Sequence, residues 1–162
     1  MTVISDTGPI IALAKIHQLT LLKSLFDKVY ITPVVFKELM AKIGDEAEEI
    51  DKALKEFVIV NNVSPTMKEI EHSLNELGTG EKQTIEFAYV TKGNFVLLMD
   101  DKAGRQAAKK LNIPTTGTIG VLILAKNKRL IENVTKILED MRIKGYWLSD
   151  EIIKIAKKIA DE

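Results

Sequence analysis

The stretch "VISDTGPIIALAKI", residues 3–16, places one carboxylate between two apolar segments. This carboxylate, Asp6, is the only acidic side chain among the first 26 residues. The β-branched run Thr2–Ser5 before it and the Gly8-Pro9 turn after it predict a short buried strand that ends here. The stretch therefore predicts an acidic side chain at the end of a buried strand.

The composition limits the chemistry of the protein. Its 162 residues are 46% hydrophobic and 28% charged, as expected for one globular domain with a real core. Lys and Arg total 23, and so do Asp and Glu, so the net charge favours neither nucleic acid nor membrane. Cys is absent and only His17 and His72 are histidines, which excludes disulfides, thiolate nucleophiles and Cys-based zinc sites. Any chemistry must therefore depend on carboxylates.

The chain shows no segment for membrane insertion or export. No apolar run reaches the roughly 18 residues that a membrane-spanning helix needs. The first residues also lack the charged and small-residue pattern of a signal peptide. We therefore expect a cytoplasmic protein with no membrane partner.

Short apolar runs alternate with segments of helical periodicity along the chain. Strands are predicted at Thr2–Ser5, Val29–Thr32, Phe57–Val63, Phe95–Met99 and Ile113–Thr115. Two short helices are predicted within residues 10–25. The further predicted helices extend from Pro33 to Met40, over residues 44–57, from Ser64 to about Leu77, from Glu81 onwards, from Lys102 to Leu111 and from about Gly117 to Lys126. This alternation predicts an α/β class with a doubly wound parallel sheet.

The last part of the chain predicts two further amphipathic helices around a bend at Gly145-Tyr146-Trp147. No linker separates these helices from the residues before them. We therefore expect a single domain over 1–162, with a core at about 2–126 and a helical extension at about 128–162. Tyr146 and Trp147 either pack in the core or cover an interface with another protein, where aromatic residues are favoured.

Acidic residues follow two of the predicted strands. Asp6 ends the first strand, and Asp100 and Asp101 end the strand Phe95–Met99. Ligands of an open parallel sheet bind beyond the carboxyl ends of its strands, so these acids meet at one edge if the two strands are neighbours. Carboxylates beside apolar strand ends are costly to desolvate and need a compensating positive charge.

Two glutamates are candidates to join this group. Glu38 lies on a predicted helix that is mostly apolar, and Glu81 lies in the first turn of the helix after "GTG", where backbone N–H groups favour negative charge. Several convergent carboxylates without His or Cys are typical of a Mg²⁺ or Mn²⁺ site. Phosphodiester hydrolysis is the reaction most often built on such a site.

Five segments in this order and spacing resemble the PIN-domain family, and within it the VapC-like branch known as a domain of unknown function. They are "ISDTGPIIAL", "ITPVVFKEL", "GTGEKQTIEFA", "LLMDDKAGRQAAKKL" and "TTGTIGVL". The resemblance implies a three-layer α/β/α fold with a central parallel sheet and C-terminal helices. It also implies a metal-dependent ribonuclease acting on RNA, often the toxin paired with an antitoxin protein and often a homodimer.

The resemblance places the family's catalytic and metal-binding acids on specific residues of this chain. They fall on Asp6, Glu38, Glu81 and the pair Asp100 and Asp101. Within the pair, direct placement at the strand end favours Asp100, whereas the family pattern of a strand, a Thr, one variable residue and the acid favours Asp101. Both residues stay candidates.

This chain departs from the family at one place. Some relatives carry a further acid after the next strand, where this chain has Thr116, Gly117 and Thr118. The departure makes a second metal ion less secure than the first. It also motivates an alternative function, a non-catalytic PIN-like module that binds RNA or a protein.

Several residues near the acids are candidates for binding substrate, and most also have a structural alternative. Lys102 and Arg105 follow the aspartate pair and either contact phosphates or form a solvated helix face. The hydroxyl candidates are Thr7, Thr116 and Thr118, of which the last two either bind a metal-bound water or cap a helix. The acids have structural alternatives too: Asp6 as a cap, Glu81 as a partner of its helix dipole, Glu38 paired with Lys42, and Asp101 as a cap or paired with Arg105.

Overall fold

The computed structural model describes residues 1–42, 44–62 and 68–162. Its strands are β1 Thr2–Ser5, β2 Lys28–Ile31, β3 Val58–Val60, β4 Phe95–Leu98 and β5 Thr115–Thr116. Its helices are α1 Thr7–Lys15, α2 Thr20–Leu25, α3 Pro33–Met40, α4 Asp45–Glu56, α5 Glu71–Leu74, α6 Thr79–Val90, α7 Lys102–Lys110, α8 Thr118–Asn127, α9 Val134–Ile143 and α10 Asp150–Ile159. None of these helices is both long and apolar enough to cross a membrane.

The five strands form one parallel sheet in the order β3-β2-β1-β4-β5. The chain adds β2 and β3 on one side of β1 and then returns to place β4 on the other side. β1 and β4 pair from Thr2 opposite Phe95 to Ser5 opposite Leu98. The strand order therefore reverses between β1 and β4, and α/β folds bind ligands in the crevice at such a point.

Apolar side chains cover both faces of the sheet, as expected for buried parallel strands. On one face, Val3, Val29 and Leu98 belong to a core that includes residues of α1 to α4 and α8 to α10. On the other face, Ile4 and Leu97 pack with residues of α5, α6 and α7. The predicted three-layer α/β/α fold with a central parallel sheet and C-terminal helices is confirmed.

The helices α9 and α10 pack on the larger core. Val134, Leu138 and Ile153 are buried members of it. Gly145 in the bend between the two helices has a φ of +89°, in the left-handed region that favours glycine. Trp147 in the same bend is 81% exposed, so the alternative in which it packs in the core is wrong.

Two predicted elements, one strand and one helix, differ in extent from those of the structure. The strand predicted over 57–63 extends only over β3 among the described residues, and Val63 lies outside them. The predicted start of the next helix at Ser64-Pro65 also lies outside the described residues, and α5 is the helical part that the structure describes before Leu77.

The fifth strand lies slightly later in the chain than predicted. Ile113 was expected to begin it, but its backbone N–H donates to the Ala108 carbonyl oxygen at 3.0 Å and so helps to close the end of α7. The following residue, Pro114, has no N–H to donate to a neighbouring strand. Pairing with β4 therefore begins only at β5, from Thr115 opposite Leu97.

Candidate active site

Asp6 lies at the carboxyl end of β1, with only 6% of the residue exposed. Its backbone N–H donates to the Leu98 carbonyl oxygen at 2.9 Å, which extends the contact with β4 beyond the strand. Asp6 occupies the N-cap position of α1, but its side chain makes no capping hydrogen bond. The carboxylate therefore lies at the point where the strand order reverses, without the structural role that a cap would give it.

The surroundings of Asp6 favour its protonated form. Burial raises the pKa of Asp6 to about 7 from an ordinary value of 3.8, against the effect of a backbone hydrogen bond from Thr7. The negative charges of Glu81, Glu38 and Asp101 act in the same direction as burial and contribute to this raised pKa. We call these four residues, Asp6, Glu38, Glu81 and Asp101, the acidic cluster. Its members come from the end of β1, from α3, from α6 and from the junction of β4 with α7.

Glu38 reaches the cluster because α6 leaves room for it. The position that a Cβ atom would take at Gly80 lies 2.8 Å from Glu38 Oε1 and 3.0 Å from Oε2. Gly80 is buried in the first turn of α6, so its missing side chain allows the carboxylate to approach. The Thr7 hydroxyl donates a hydrogen bond to Glu38 Oε2. Among the ion pairs of the described residues, none joins Glu38 to Lys42.

Glu81 lies in the same turn of α6 as Gly80. Its carboxylate folds back over Gly78, at a place where a side chain on residue 78 would overlap it. The first turn of a helix carries unpaired N–H groups that favour a negative charge. At this position Glu81 can interact with the dipole of α6 and also belong to the site, so the two predicted roles do not exclude each other.

The α3–α6 contact that brings these glutamates together has a further polar link. The Gln83 side-chain oxygen accepts a hydrogen bond from the Val34 backbone N–H at 3.1 Å. This bond satisfies one of the free N–H groups at the start of α3. Sequence reasoning missed Gln83, because the two partners are 49 residues apart and no local motif indicates the contact.

The two aspartates after β4 have different surroundings. Asp100 Oδ1 accepts from the Thr118 N–H at 2.7 Å, and its Oδ2 accepts from the Thr118 hydroxyl at 2.6 Å and the Tyr146 hydroxyl at 2.8 Å. Asp101 is exposed, and its Oδ2 caps α7 by accepting from the Gly104 N–H at 2.7 Å. Asp101 is also the member of the pair whose charge affects the buried carboxylate of the acidic cluster. The charge of Asp101 therefore acts on the acidic cluster, whereas Asp100 is held by hydrogen bonds from Thr118 and Tyr146.

Tyr146 joins the C-terminal helices to this edge of the sheet. Burial, together with the negative charge of Asp100 and the hydrogen bond to it, raises the pKa of Tyr146, so its hydroxyl stays protonated and donates. The sequence around Tyr146 indicates only a core or interface residue. The bond to Asp100 was missed because 46 residues separate the partners.

The predicted substrate-binding residues fall into two groups. Lys102 and Arg105 are exposed on α7 and line a cleft that reaches Asp100. The hydroxyls of Thr7 and Thr118 already donate to carboxylates within the protein. Lys102 and Arg105 are therefore placed to contact a ligand as predicted, whereas Thr7 and Thr118 are engaged within the protein.

The acidic cluster is not a preformed metal-binding site. In the part of the chain that the structure describes, no three His, Asp or Glu side chains are grouped so that they could hold one metal ion. The donors are nevertheless all carboxylate oxygens, which suit Mg²⁺ or Mn²⁺. A cation also offsets the cost of ionising the buried Asp6. The residues therefore fit a hard divalent cation by their chemistry, but not by a preformed arrangement.

Comparisons with known proteins agree with the fold. The family model DUF3368, described as a PIN domain, matches residues 2–162. A PilT N-terminus domain protein from the hyperthermophilic archaeon Sulfolobus solfataricus has a similar structure, with a TM-score of 0.52 and 22% sequence identity. The similarity covers 82% of this chain and 96% of that one and, at this identity, concerns the fold alone. No curated protein matches the chain significantly.

Proposed function

Because the chain belongs to the PIN domain family, we propose that it is a divalent-metal-dependent endoribonuclease that hydrolyses RNA phosphodiester bonds. PIN domains are generally nucleases, so the family itself supports a function on nucleic acid. The finer proposal depends on the acidic cluster, in which three other chain segments bring carboxylates close to the buried Asp6, where the strand order reverses.

The acidic cluster would hold Mg²⁺ or Mn²⁺. When bound, such a cation neutralises charge on a phosphate and lowers the pKa of a water molecule, so that a nucleophile is available near neutral pH. Because the pKa of Asp6 is about 7, a proton occupies its carboxyl group about half of the time near pH 7 and competes with a cation for the same oxygens. The Thr7 hydroxyl orients Glu38. Lys102 and Arg105 contact the phosphates that flank the cleaved bond.

The test of this function is cleavage of single-stranded RNA in the presence of Mn²⁺. We expect cleavage by the unchanged protein and a loss of about 100-fold or more in Asp6→Asn, because one carboxylate of the cluster loses its charge. Asp51→Asn is the matched control, since Asp51 is exposed on α4 and pairs only with Lys55. Undiminished cleavage by Asp6→Asn would rule the mechanism out.

We propose further that the protein is the toxin of a VapC-like toxin–antitoxin pair, acts in the cytoplasm as a single domain and forms a homodimer. The support is an apolar surface on α9, α10 and the bend between them. Its exposed members are Ile143, Trp147, Ile155 and Ile159. Ile155 and Ile159 are four residues apart and so lie on one face of α10. Large exposed apolar surfaces mark protein interfaces.

Light scattering after size-exclusion chromatography tests the homodimer. We expect a mass of about twice 18.1 kDa at micromolar concentration, and the monomer mass in Trp147→Glu. Glu151→Gln, an exposed change on α10 outside this surface, should leave the mass unchanged. A monomer mass for the unchanged protein would contradict the homodimer.

A second candidate function is a non-catalytic module that binds RNA or a protein. It is favoured by the absence of a formed metal cage among the described residues, and by Thr116, Gly117 and Thr118 in place of a further acid. Calorimetric titration with Mn²⁺ separates the two functions. The nuclease binds Mn²⁺ and loses this binding in Asp6→Asn, whereas a binding module has no reason to bind the ion at the acidic cluster.

A further inference from the structure

A cleft of about 490 Å³ lies between α7, β5 and α10, beside the acidic cluster but outside it. We call it the α7–α10 cleft. Asp100 is part of its lining and is next in sequence to the cluster member Asp101. Pockets of this size hold small ligands or a single unit of a polymer. An RNA strand bound at the acidic cluster would therefore extend into this cleft.

Three cationic side chains form one wall of the cleft. Lys102, Arg105 and Lys109 are three and four residues apart on α7, and this spacing places them on one helix face. Seven residues of helix span about 10 Å, which is long enough to contact more than one phosphate of a strand. The wall therefore suits a polyanion better than a single anion.

The negative charge of Asp100 offsets only part of this wall. Both carboxylate oxygens of Asp100 already accept hydrogen bonds from Thr118 and Tyr146. Arg105 Nη1 and Asp100 Oδ1 each lie 2.8 Å from the position that a Cβ atom would take at Gly117, so the Arg105 guanidinium lies close to the Asp100 carboxylate. Among the described residues, the lining has three cations and one carboxylate.

The remaining lining is apolar or neutral. Ile152 on α10 is 37% exposed although it is a large apolar residue, and Ile113 lies beside it in the lining. The Gln106 amide and the Thr115 hydroxyl add neutral hydrogen-bonding groups. Apolar contact, neutral donors and acceptors, and a cationic wall together match the three parts of a nucleotide: the face of a base, its edge and its phosphate.

We propose that the α7–α10 cleft binds one unpaired nucleotide of an RNA strand whose phosphodiester bond lies at the acidic cluster. The apolar side of the cleft contacts the base, and the cationic wall of α7 holds the adjoining phosphates. A paired base cannot enter, since its face and edge are covered in a duplex. This subsite rests on the proposed function and adds single-strand selection to it.

Binding of a short fluorescent single-stranded RNA, measured by anisotropy in EDTA so that no cleavage occurs, tests the phosphate part. We expect Lys109→Ala to weaken binding about threefold or more and to lower the salt dependence by about 0.7 in the slope of log affinity against log salt. Lys110→Ala is the matched control, because Lys110 is the next residue of α7 and does not line the cleft. Equal losses in the two variants would overturn the proposal.

The base part is tested by Ile152→Ala in the same assay. We expect about fivefold weaker binding with an unchanged salt slope, because base contact involves no phosphate. Ile155→Ala, an exposed change on the same helix outside the cleft, should bind as the unchanged protein does. Tighter binding of a duplex of the same sequence, or displacement of the RNA by an equal concentration of an acidic peptide, would overturn the proposal.

Cleavage with Mn²⁺ separates this proposal from the proposed function. If the unchanged protein does not cleave RNA but the binding pattern above is found, hydrolysis fails and the subsite stands. If it cleaves RNA and Lys109→Ala and Ile152→Ala leave KM unchanged, the subsite fails and hydrolysis stands.

Discussion

Asp6 and Glu162 are two carboxylates with little exposure to solvent, and their environments have opposite effects on their charge. Burial raises the pKa of Asp6 to about 7. Burial also tends to raise the pKa of Glu162, but hydrogen bonds from Thr135, Lys126 and Val134 outweigh this effect and lower it to about 2. The Glu162 side chain is 8% exposed, so burial alone does not distinguish the two residues.

The pKa values of the two carboxylates differ because different groups surround them. Glu162 accepts from the N–H groups of Val134 and Thr135 at 2.6 and 2.8 Å, from the Thr135 hydroxyl at 2.5 Å and from Lys126 at 3.0 Å. Asp6 has instead three acidic neighbours. A buried carboxylate saturated with donors stabilises the fold, whereas one kept among other acids is available for a ligand.

The same distinction separates the two aspartates after β4. Asp100 is saturated by Thr118 and Tyr146, whereas Asp101 caps α7 with one oxygen and remains exposed. On the proposed function, Asp100 then has a structural role and Asp101 a role in the site. Replacing the carboxylate by a neutral amide should therefore lower stability at Asp100 and activity at Asp101.

The largest expected effect concerns the pH dependence of stability, which Asp6 affects in the opposite direction to Glu162. Its pKa is raised on folding, so the folded protein binds the proton more tightly, and stability falls as pH rises from about 4 to about 7. The full loss above pH 7 is as much as about 4 kcal/mol in the metal-free protein. Urea unfolding across this pH range should show the fall in the unchanged protein and a smaller one in Asp6→Asn. Equal slopes in both proteins would contradict the raised pKa.

The second effect concerns the aspartate pair. We expect Asp101→Asn to lower RNA cleavage about 100-fold, because the acidic cluster loses a charge. Asp100→Asn should lower the free energy of unfolding by about 2 kcal/mol, because an amide cannot accept all three hydrogen bonds. Cleavage rates and urea unfolding of both variants check the pair. The reverse pattern would assign the site role to Asp100.

The third effect is the stability supplied by Glu162. Glu162→Gln should lower the free energy of unfolding by about 2 kcal/mol near pH 7, since charged acceptors form stronger hydrogen bonds than neutral ones. In the unchanged protein this contribution is complete above pH 4.5 and is lost as pH falls towards about 2. RNA cleavage should stay unchanged at a temperature well below unfolding. A variant as stable as the unchanged protein at pH 7 but less active would break the comparison with Asp6.

The sequence predicted the strands and the acids far better than the division of their roles. Asp6 was identifiable because a β-branched run and a Gly-Pro turn enclose it, and these are local signals. The choice between Asp100 and Asp101 depended on Thr118 and Tyr146, which lie 18 and 46 residues away in the chain. Such contacts depend on helix packing, and no pattern in the neighbouring residues encodes them.

The smallest effect tests the approach of α6 to the acidic cluster. In Gly80→Ala the new Cβ would lie 2.8 Å from Glu38 Oε1, so the carboxylate must move by a few tenths of an ångström. Because only the end of a flexible side chain shifts, we expect a nearly unchanged unfolding temperature together with a loss of about tenfold in cleavage and Mn²⁺ affinity. Gly8→Ala is the matched control, since its Cβ meets no atom within 4 Å although it is close to Asp6 in sequence. If both alanines left cleavage unchanged, the position of Glu38 would not matter to the site, and the cluster would reduce to its other members.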